Sequence, residues 1–448
     1  MLMSLALVLA GAGCGGPSIA EQKSNESVTL NIWQVHDGAS SLSAVMSSYK
    51  AIHPNVNFNF RQLRASEYED ELIRAFAEGR GPDIYAIHNT WVTEYVPLIA
   101  PMPSSLTIPY LETRGTIKKE QVVILKNEKT ITPAQVRRDF VDVVSLEGLR
   151  AYQANSNAEA QERVFGLPLA VDTLALYYNK DLLNAAGIAE PPHTWDEFQK
   201  QVEKLTVVGR EDKILQSGAA LGSGKNVERA FDILSVLMMQ NQARMTSGGQ
   251  ATFAEEVEER SPGLLAAQFY TDFANPQKAV YTWNADEPNS FEAFVTGKTA
   301  FFLGYAYHEP FIRARAARLR FATFPLPQID GAPVVNYANF WLQTVSKSSK
   351  NQNWAWDFIQ FATSAPQVTK YLAAAKKPTA RRALISTQVE DEFLGAFASQ
   401  VLTAKSWYRG RNAQTAENAL LKLIDDLLAG REPQVSITDA QNKVNQTL

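Results

Sequence analysis

Five histidines and one cysteine limit the chemistry open to this chain. His36, His53, His88, His193 and His308 are scattered, with no HExxH or HxH spacing, so no catalytic metal site is expected. The single cysteine, Cys14, excludes an internal disulfide and any zinc site built on paired thiolates. Nucleotide motifs fail on spacing. Gly224-Lys225 has no Ser or Thr after it, and no glycine stands five residues before Gly224. Gly297-Lys298-Thr299 ends like a phosphate-binding loop, but Glu292 occupies the place of its first glycine. No GxSxG nucleophile elbow occurs. No cofactor is implied. The 47 acidic residues leave a carboxylate pair for glycoside hydrolysis open.

The elements that must position any site come from a chain of 448 residues, which suggests two or three domains. At 45% hydrophobic and 10% aromatic it can bury a sizeable core. A formal net charge of −4 argues against a nucleic-acid partner, which needs a basic surface. Leu5 to Ala12 is an apolar run too short to span a bilayer, and it reads as the core of a secretion signal. It ends in Gly11-Ala12-Gly13 before Cys14, which resembles a bacterial lipobox, where the thiol is acylated and becomes the mature N-terminus. No Lys or Arg precedes the run and Gly11 stands where Leu is usual, so a start further upstream would complete the pattern. Residues 1–13 are then a signal peptide, and 14–27, polar and rich in Gly and Ser, a flexible tether.

Val28 to Val35 reads as a strand. Leu42, Val45, Tyr49 and Ile52 recur at helical spacing until His53-Pro54, and Val56 to Phe60 alternates as a second strand. Glu67 to Glu78 reads as a helix with Leu72, Ile73, Phe76 and Ala77 on one face, and a third strand covers Ile84 to His88. This is a parallel βαβ layout. Residues 98–160 give no clear pattern. Val164 to Asn179 reads as a strand pair or one long strand. Thr194 to Glu197 is a capping box opening a helix, and Val227 to Gln240 is a strongly apolar helix. Thr299 to Leu303, Phe321 to Phe324 and Val334 to Val345 are further strands, and Ala416 to Leu428 is an amphipathic helix. The strands fall in two batches, which favours two α/β lobes.

Seven segments carry a family resemblance: VTLNIW from Val28, GPDI from Gly81, FGLPLAVDTLALYYNKDLL from Phe165, PPHTWDEF from Pro191, FVTGKTAFFL from Phe294, FPLP from Phe324 and VSK from Val345. In this order they resemble the extracellular solute-binding proteins of ABC transporters, in the group that includes maltose- and oligosaccharide-binding proteins. The resemblance implies an α/β, two-lobe periplasmic-binding-protein-like fold of type II, with the ligand held in a cleft between lobes joined by crossing hinge strands. Lobe one would hold 28–145 and 304–345, lobe two 146–303 and 346–448.

A sugar site needs aromatic platforms for C–H faces and polar side chains for the hydroxyl rim. His36 and Asp37 follow the first strand and match the family's first polar contact. His88, Asn89 and Trp91 follow the third. Asp172 matches a position that often holds a cleft carboxylate near the hinge. Asn226 and Arg229 open a helix. Tyr305 and Tyr307 follow a strand where the family places a stacking aromatic, Asn339 and Trp341 lie in a crossing strand, and Trp407 matches a late stacking tryptophan. Competing readings stay beside these: Trp33 is a core residue, Asp37 a turn residue before Gly38, and Trp91, Trp341 and Trp407 fit core or cleft before the resemblance is weighed. The resulting expectation is a non-enzymatic, monomeric receptor for a carbohydrate or oligosaccharide. It would be anchored outside the cytoplasm by lipid on Cys14 and deliver its ligand to an ABC permease. A surface glycoside hydrolase using Asp37 and Asp172, or an adhesin or sensor without a permease, are the rival readings.

Overall fold

The computed structural model describes residues 26–115 and 119–448; Cys14, the signal and most of the tether lie outside the described residues. Strand β1 (Val28–Val35) leads through helix α1 (Ala39–Ile52) to β2 (Val56–Leu63), then through α2 (Ala65–Ala77) to β3 (Ile84–His88). All three strands are parallel, with β1 between the other two. The sheet is completed by Trp341–Val345, antiparallel to β3, and by Leu167–Pro168 at the far edge. Leu42, Val45 and Tyr49 bury one face of α1, as their spacing requires.

A second sheet runs in the order Val207–Val208, Ile214–Ala219, Thr299–Gly304, Ala175–Asn179 and Phe321–Phe324. Its helix Trp195–Leu205 begins at the capping box expected from sequence. The Thr194 hydroxyl accepts from the Glu197 amide, and Trp195, Phe198, Val202 and Leu205 are buried. Helix Ala413–Leu428 buries Ala416, Leu420, Leu423 and Ile424 on the same lobe.

Two large hydrophobic cores result. The first draws on residues 28–171 and 338–404, the second on 174–337 and 407–444. Between these two cores the chain changes at three places, while Leu394 and Phe397 pack in a third, smaller cluster against Tyr177 and Phe302 of the second sheet. Those places are the three strands of a small separate sheet, Asp172–Thr173, Asn336–Asn339 and Ala404–Lys405. The architecture is therefore two α/β lobes joined by three crossing segments.

This moves the lobe boundaries expected from sequence. Residues 146–171, through Leu149, Phe165 and Leu167, pack in the first core and not the second. The segment 304–337, through Leu326 and Tyr337, packs in the second. Helix Gln352–Ala362 returns to lobe one because Phe358 packs on Tyr49 and Phe58. The apolar run from Val164 to Asn179 is not one strand. It serves both lobes and the crossing sheet in turn, so it is buried almost throughout and shows no alternation.

The region without a sequence pattern contains a long hairpin, Ser105–Arg114 with Glu120–Lys129, and the helices Pro133–Asp139 and Asp142–Gly148. The hairpin is anchored to lobe one. The Tyr110 hydroxyl donates to Asp357 Oδ1 at 2.9 Å, and the Tyr49 hydroxyl donates to Oδ2 at 2.7 Å. Burial holds the Asp357 carboxyl up at about 6, although both donors favour its charged form.

One helix face differs from the expectation. Helix α2 buries Tyr68, Leu72 and Ala75, while Ile73 is 50% exposed. Its side chain lines the space between the lobes. Among the described residues, no helix is long and apolar enough to cross a membrane.

Candidate functional site

A cleft of about 580 Å³ opens between the lobes, at the ends of β1 and β3 and beside the crossing sheet. Open parallel sheets bind ligands at the carboxyl ends of their strands, and β1 and β3 end here. The β1 chain leaves its strand through His36, whose φ of 64° is unusual for a residue with a Cβ. The turn aims the imidazole across the cleft, where it stacks on Tyr307 of the second lobe with centroids 5.4 Å apart and planes 9° apart. Asp37 points back into lobe one. It accepts from the Tyr371 hydroxyl and from Lys377 Nζ, each at 2.7 Å.

Trp341 begins the return strand and is half-buried. Four rings brace it edge-on: His88 and Trp91 at 5.3 Å, Tyr68 at 5.8 Å and His36 at 6.2 Å. Trp91, also half-buried, stacks on Tyr95 at 6.1 Å. Two rigid indoles thus reach the cleft from lobe one, opposed by Tyr307 from lobe two. Aromatic faces held this way can cover the C–H faces of a sugar ring.

Asp172 lies in the first crossing strand and is only 6% exposed. Its Oδ1 accepts from the amides of Thr173 at 2.9 Å and Ala306 at 3.1 Å. Its Oδ2 is buried and has no partner among the described residues. Burial pushes the carboxyl up to about 7, with the backbone donors and Lys377 opposing. Arg229 caps helix Ala230–Gln240 in a left-handed conformation, φ 60°, and pairs with Asp232 at 2.6 Å. Burial takes His88 down to about 3, and burial with the Lys377 charge takes His36 down to about 4. Both rings are therefore neutral near pH 7.

Of the residues expected from sequence, His36, Asp37, His88, Trp91, Asp172, Arg229, Tyr307, Asn339 and Trp341 line this one cleft. Four expected residues do not. Asn89 is 2% exposed, and its Oδ1 accepts from the Phe340 amide. Asn226 is spent inside lobe two, accepting from the Trp283 indole and donating to the carbonyls of Asn284 and Glu287. Tyr305 is fully buried beneath Tyr307 and donates to Asp232 at 2.6 Å. Trp407 is a core residue, 3% exposed, whose indole donates to Ser235 Oγ at 2.9 Å. A position after a strand or before a helix fixes proximity to the cleft but not the direction of the side chain. Trp33 is also core, as its strand position implied, with Arg61 over its ring at 4.5 Å.

Sequence reasoning missed the acidic side of the cleft. Glu69 and Asp70 come from the first turns of α2, Glu94 from the turn after β3, and Glu417 from helix Ala413–Leu428. Glu69 and Asp70 had a signal, since α2 begins where β2 ends. Tyr371 and Lys377 had none, because they arrive from a helix and the turn after it, 334 residues or more along the chain from Asp37. Among the described residues no group of three or more His, Cys, Asp or Glu could hold a metal ion.

With this geometry in hand, the chain can be set against known proteins. Residues 33–369 match the bacterial extracellular solute-binding protein family. A binding protein of Brucella abortus is 21% identical over 327 residues, covering 71% of this chain and 67% of the relative. The maltotriose-binding protein of Pyrococcus abyssi is 21% identical over 339 residues, covering 74% and 61%. Among solved structures, the sugar-binding protein MalE of Xanthomonas citri superimposes with a TM-score of 0.69 at 18% identity, covering 94% of this chain and 97% of that one. At that identity the likeness speaks to the fold alone.

Proposed function

The chain belongs to the bacterial extracellular solute-binding protein family, and from that premise we propose that its cleft holds a carbohydrate, an oligosaccharide above all, and passes it to the permease of an ABC importer. The carrying observation is the pairing of two braced indoles, Trp91 and Trp341, with Tyr307 from the opposite lobe around one polar cleft. The space falls within the roughly 300–1,000 Å³ usual for small-ligand pockets. Ligand contacts to both lobes would favour a closed arrangement about the three crossing segments, which is the signal a permease can read. Named relatives that bind maltotriose or multiple sugars support the ligand class. The reading further includes a lipid on Cys14 that tethers a monomeric receptor outside the cytoplasm, where it is concentrated near the permease.

A hydrolase would need two carboxylates free to act on a glycosidic bond. Asp37 is instead already engaged by Lys377 and Tyr371, and the relatives are binding proteins. The test is thermal unfolding against a panel of oligosaccharides, monosaccharides, amino acids and phosphates. A bound glycan at a hundredfold excess over Kd adds about 2.7 kcal/mol of stability. A shift with one glycan class, without its breakdown, is the expected result. A panel that responds only to amino acids or phosphates would sink the carbohydrate reading.

Asp172 gives a pH signature. Its pKa is raised from 3.8 to about 7, so its contribution to stability is present in full below 3.8 and is lost as pH rises through about 7. A ligand hydroxyl donating to the free Oδ2 favours the carboxylate, so affinity should climb over the same span. His36 and His88, lowered from 6.5 to about 4 and about 3, act oppositely over much of the same span, adding stability as pH rises toward 6.5, so the comparison with Asp172→Asn separates the carboxyl from them. Asp172→Asn is expected to stabilise the empty protein at about pH 8 by roughly 2 kcal/mol and to flatten the pH dependence of affinity. Paired denaturation and calorimetric titrations across pH measure both. An unchanged pH profile in the variant would remove Asp172 from the ligand contacts.

A further inference from the structure

The charge of the cleft is lopsided. Seven carboxylates line it, against the two cations Arg229 and Lys377. Both cations are spoken for, Lys377 by Asp37 and Arg229 by Asp232. Five carboxylates remain: Glu69, Asp70, Glu94, Asp172 and Glu417. Among the described residues none of them has an ion-pair partner.

Three of these line the lobe-one wall together with the half-buried Trp91: Glu69 and Asp70 on α2, and Glu94 three residues after Trp91. Glu69 is steadied by the Tyr95 hydroxyl, which donates to it at 3.3 Å, and Tyr95 is the ring on which Trp91 stacks. Glu417 faces them from lobe two. Tyr408 and Glu417 line the cleft from lobe two, so carboxylates stand on both of its walls. At the floor the unpartnered Oδ2 of Asp172 is an independent sign of a missing donor.

A neutral glycan would satisfy the hydrogen bonds of these groups and leave their charge uncompensated. Closing the lobes would then drive like charges together in a medium that screens them less. An ammonium on the ligand removes that penalty, and an aromatic face beside carboxylates is a favourable place for it. Burial raises Glu69, Glu94 and Glu417, and of these only Glu417 has a cation, Arg229, opposing the shift.

We propose that the cleft is selective for basic saccharides, with an amino group of the sugar seated over Trp91 between Glu69, Asp70 and Glu94, and a second donor on Asp172. This rests on the carbohydrate reading above and narrows it. The field of such a cleft also attracts cationic ligands from a distance, with a strength that falls as salt rises.

The test is calorimetric titration of the protein with four probes: a glucosamine trisaccharide, its fully N-acetylated counterpart, maltotriose and spermidine. The glucosamine trisaccharide is expected to bind at least tenfold more tightly than its N-acetylated counterpart. That preference should shrink several-fold between about 50 mM and about 300 mM salt. It should also shrink at least threefold in Glu94→Gln and in Glu69→Gln, both on the surface of the cleft. Equal or tighter binding of the neutral trisaccharides would overturn the basic-saccharide proposal and leave the carbohydrate reading standing. Spermidine binding with no saccharide binding would overturn both, as would binding of none of the four.

Discussion

Trp341→Ala should weaken glycan binding at least a hundredfold, a loss of about 3 kcal/mol, while the protein stays folded. The size of the effect follows from position. Trp341 is the first residue of the strand that returns from the crossing sheet to lobe one, so its backbone is fixed by pairing with His88. Its ring is gripped edge-on by Tyr68, His88, Trp91 and His36. A platform held on so many sides loses little side-chain entropy when a ligand stacks on it. Its removal deletes the stacking surface and also the wall that orients Trp91 and His36. Trp407→Phe is the informative comparison. It loses the hydrogen bond to Ser235 in the core of lobe two, so it should lower the unfolding midpoint and leave affinity within about twofold. Titration of both variants with the glycan that shifts the wild-type melting temperature decides the matter. If Trp341→Ala binds within threefold of wild type, the platform reading fails.

The contrast between these two tryptophans also shows what the sequence could tell. Both are aromatics near the ends of strands or crossings. Trp341 reaches the cleft because the strand Asn336–Asn339 ends and Trp341–Val345 begins just after it, with Phe340 turning inward. Trp407 lies just past the third crossing strand, Ala404–Lys405, and by then the chain has entered the second core. Local patterns reported the first βαβ units, the capping box at Thr194 and the helix from Ala416 to Leu428, which begins three residues earlier at Ala413, because each is stabilised largely by its own periodicity and ends. They could not report the lobe boundaries, which depend on which core a helix such as Gln352–Ala362 packs against. The acidic wall was hidden for a related reason. Glu69 and Asp70 look like any solvated helix face until α2 is seen to turn Ile73 toward the cleft and Tyr68 toward the core.

The largest loss of stability is expected at a residue that touches no ligand. Glu147, at the end of helix Asp142–Gly148, is fully buried. Its Oε1 accepts from the Ser406 hydroxyl at 2.6 Å and from Arg409 at 3.0 Å, and its Oε2 lies 3.4 Å from Arg150. Ser406 and Arg409 follow directly on the third crossing strand, so this carboxylate ties lobe one to the chain as it leaves for lobe two. Burial already lowers the Arg150 pKa, with Glu147 opposing the shift. In Glu147→Ala two guanidinium groups would face each other with no counter-charge. Losing one partner of a buried pair typically costs about 3–5 kcal/mol, well above the median for a surface ion pair. Urea unfolding of Glu147→Ala, Arg409→Ala and the double variant measures the coupling directly. The double variant should be more stable than the sum of the two single losses predicts, because removing Arg409 relieves part of the uncompensated charge. Additive losses, or a cost below about 1 kcal/mol for Glu147→Ala, would mean that the carboxylate does not hold the crossing in place. If the coupling is found, the third crossing segment is pinned at its lobe-one side. Closure about the hinge must then be absorbed by the two remaining crossings, one of which carries Asp172 into the cleft.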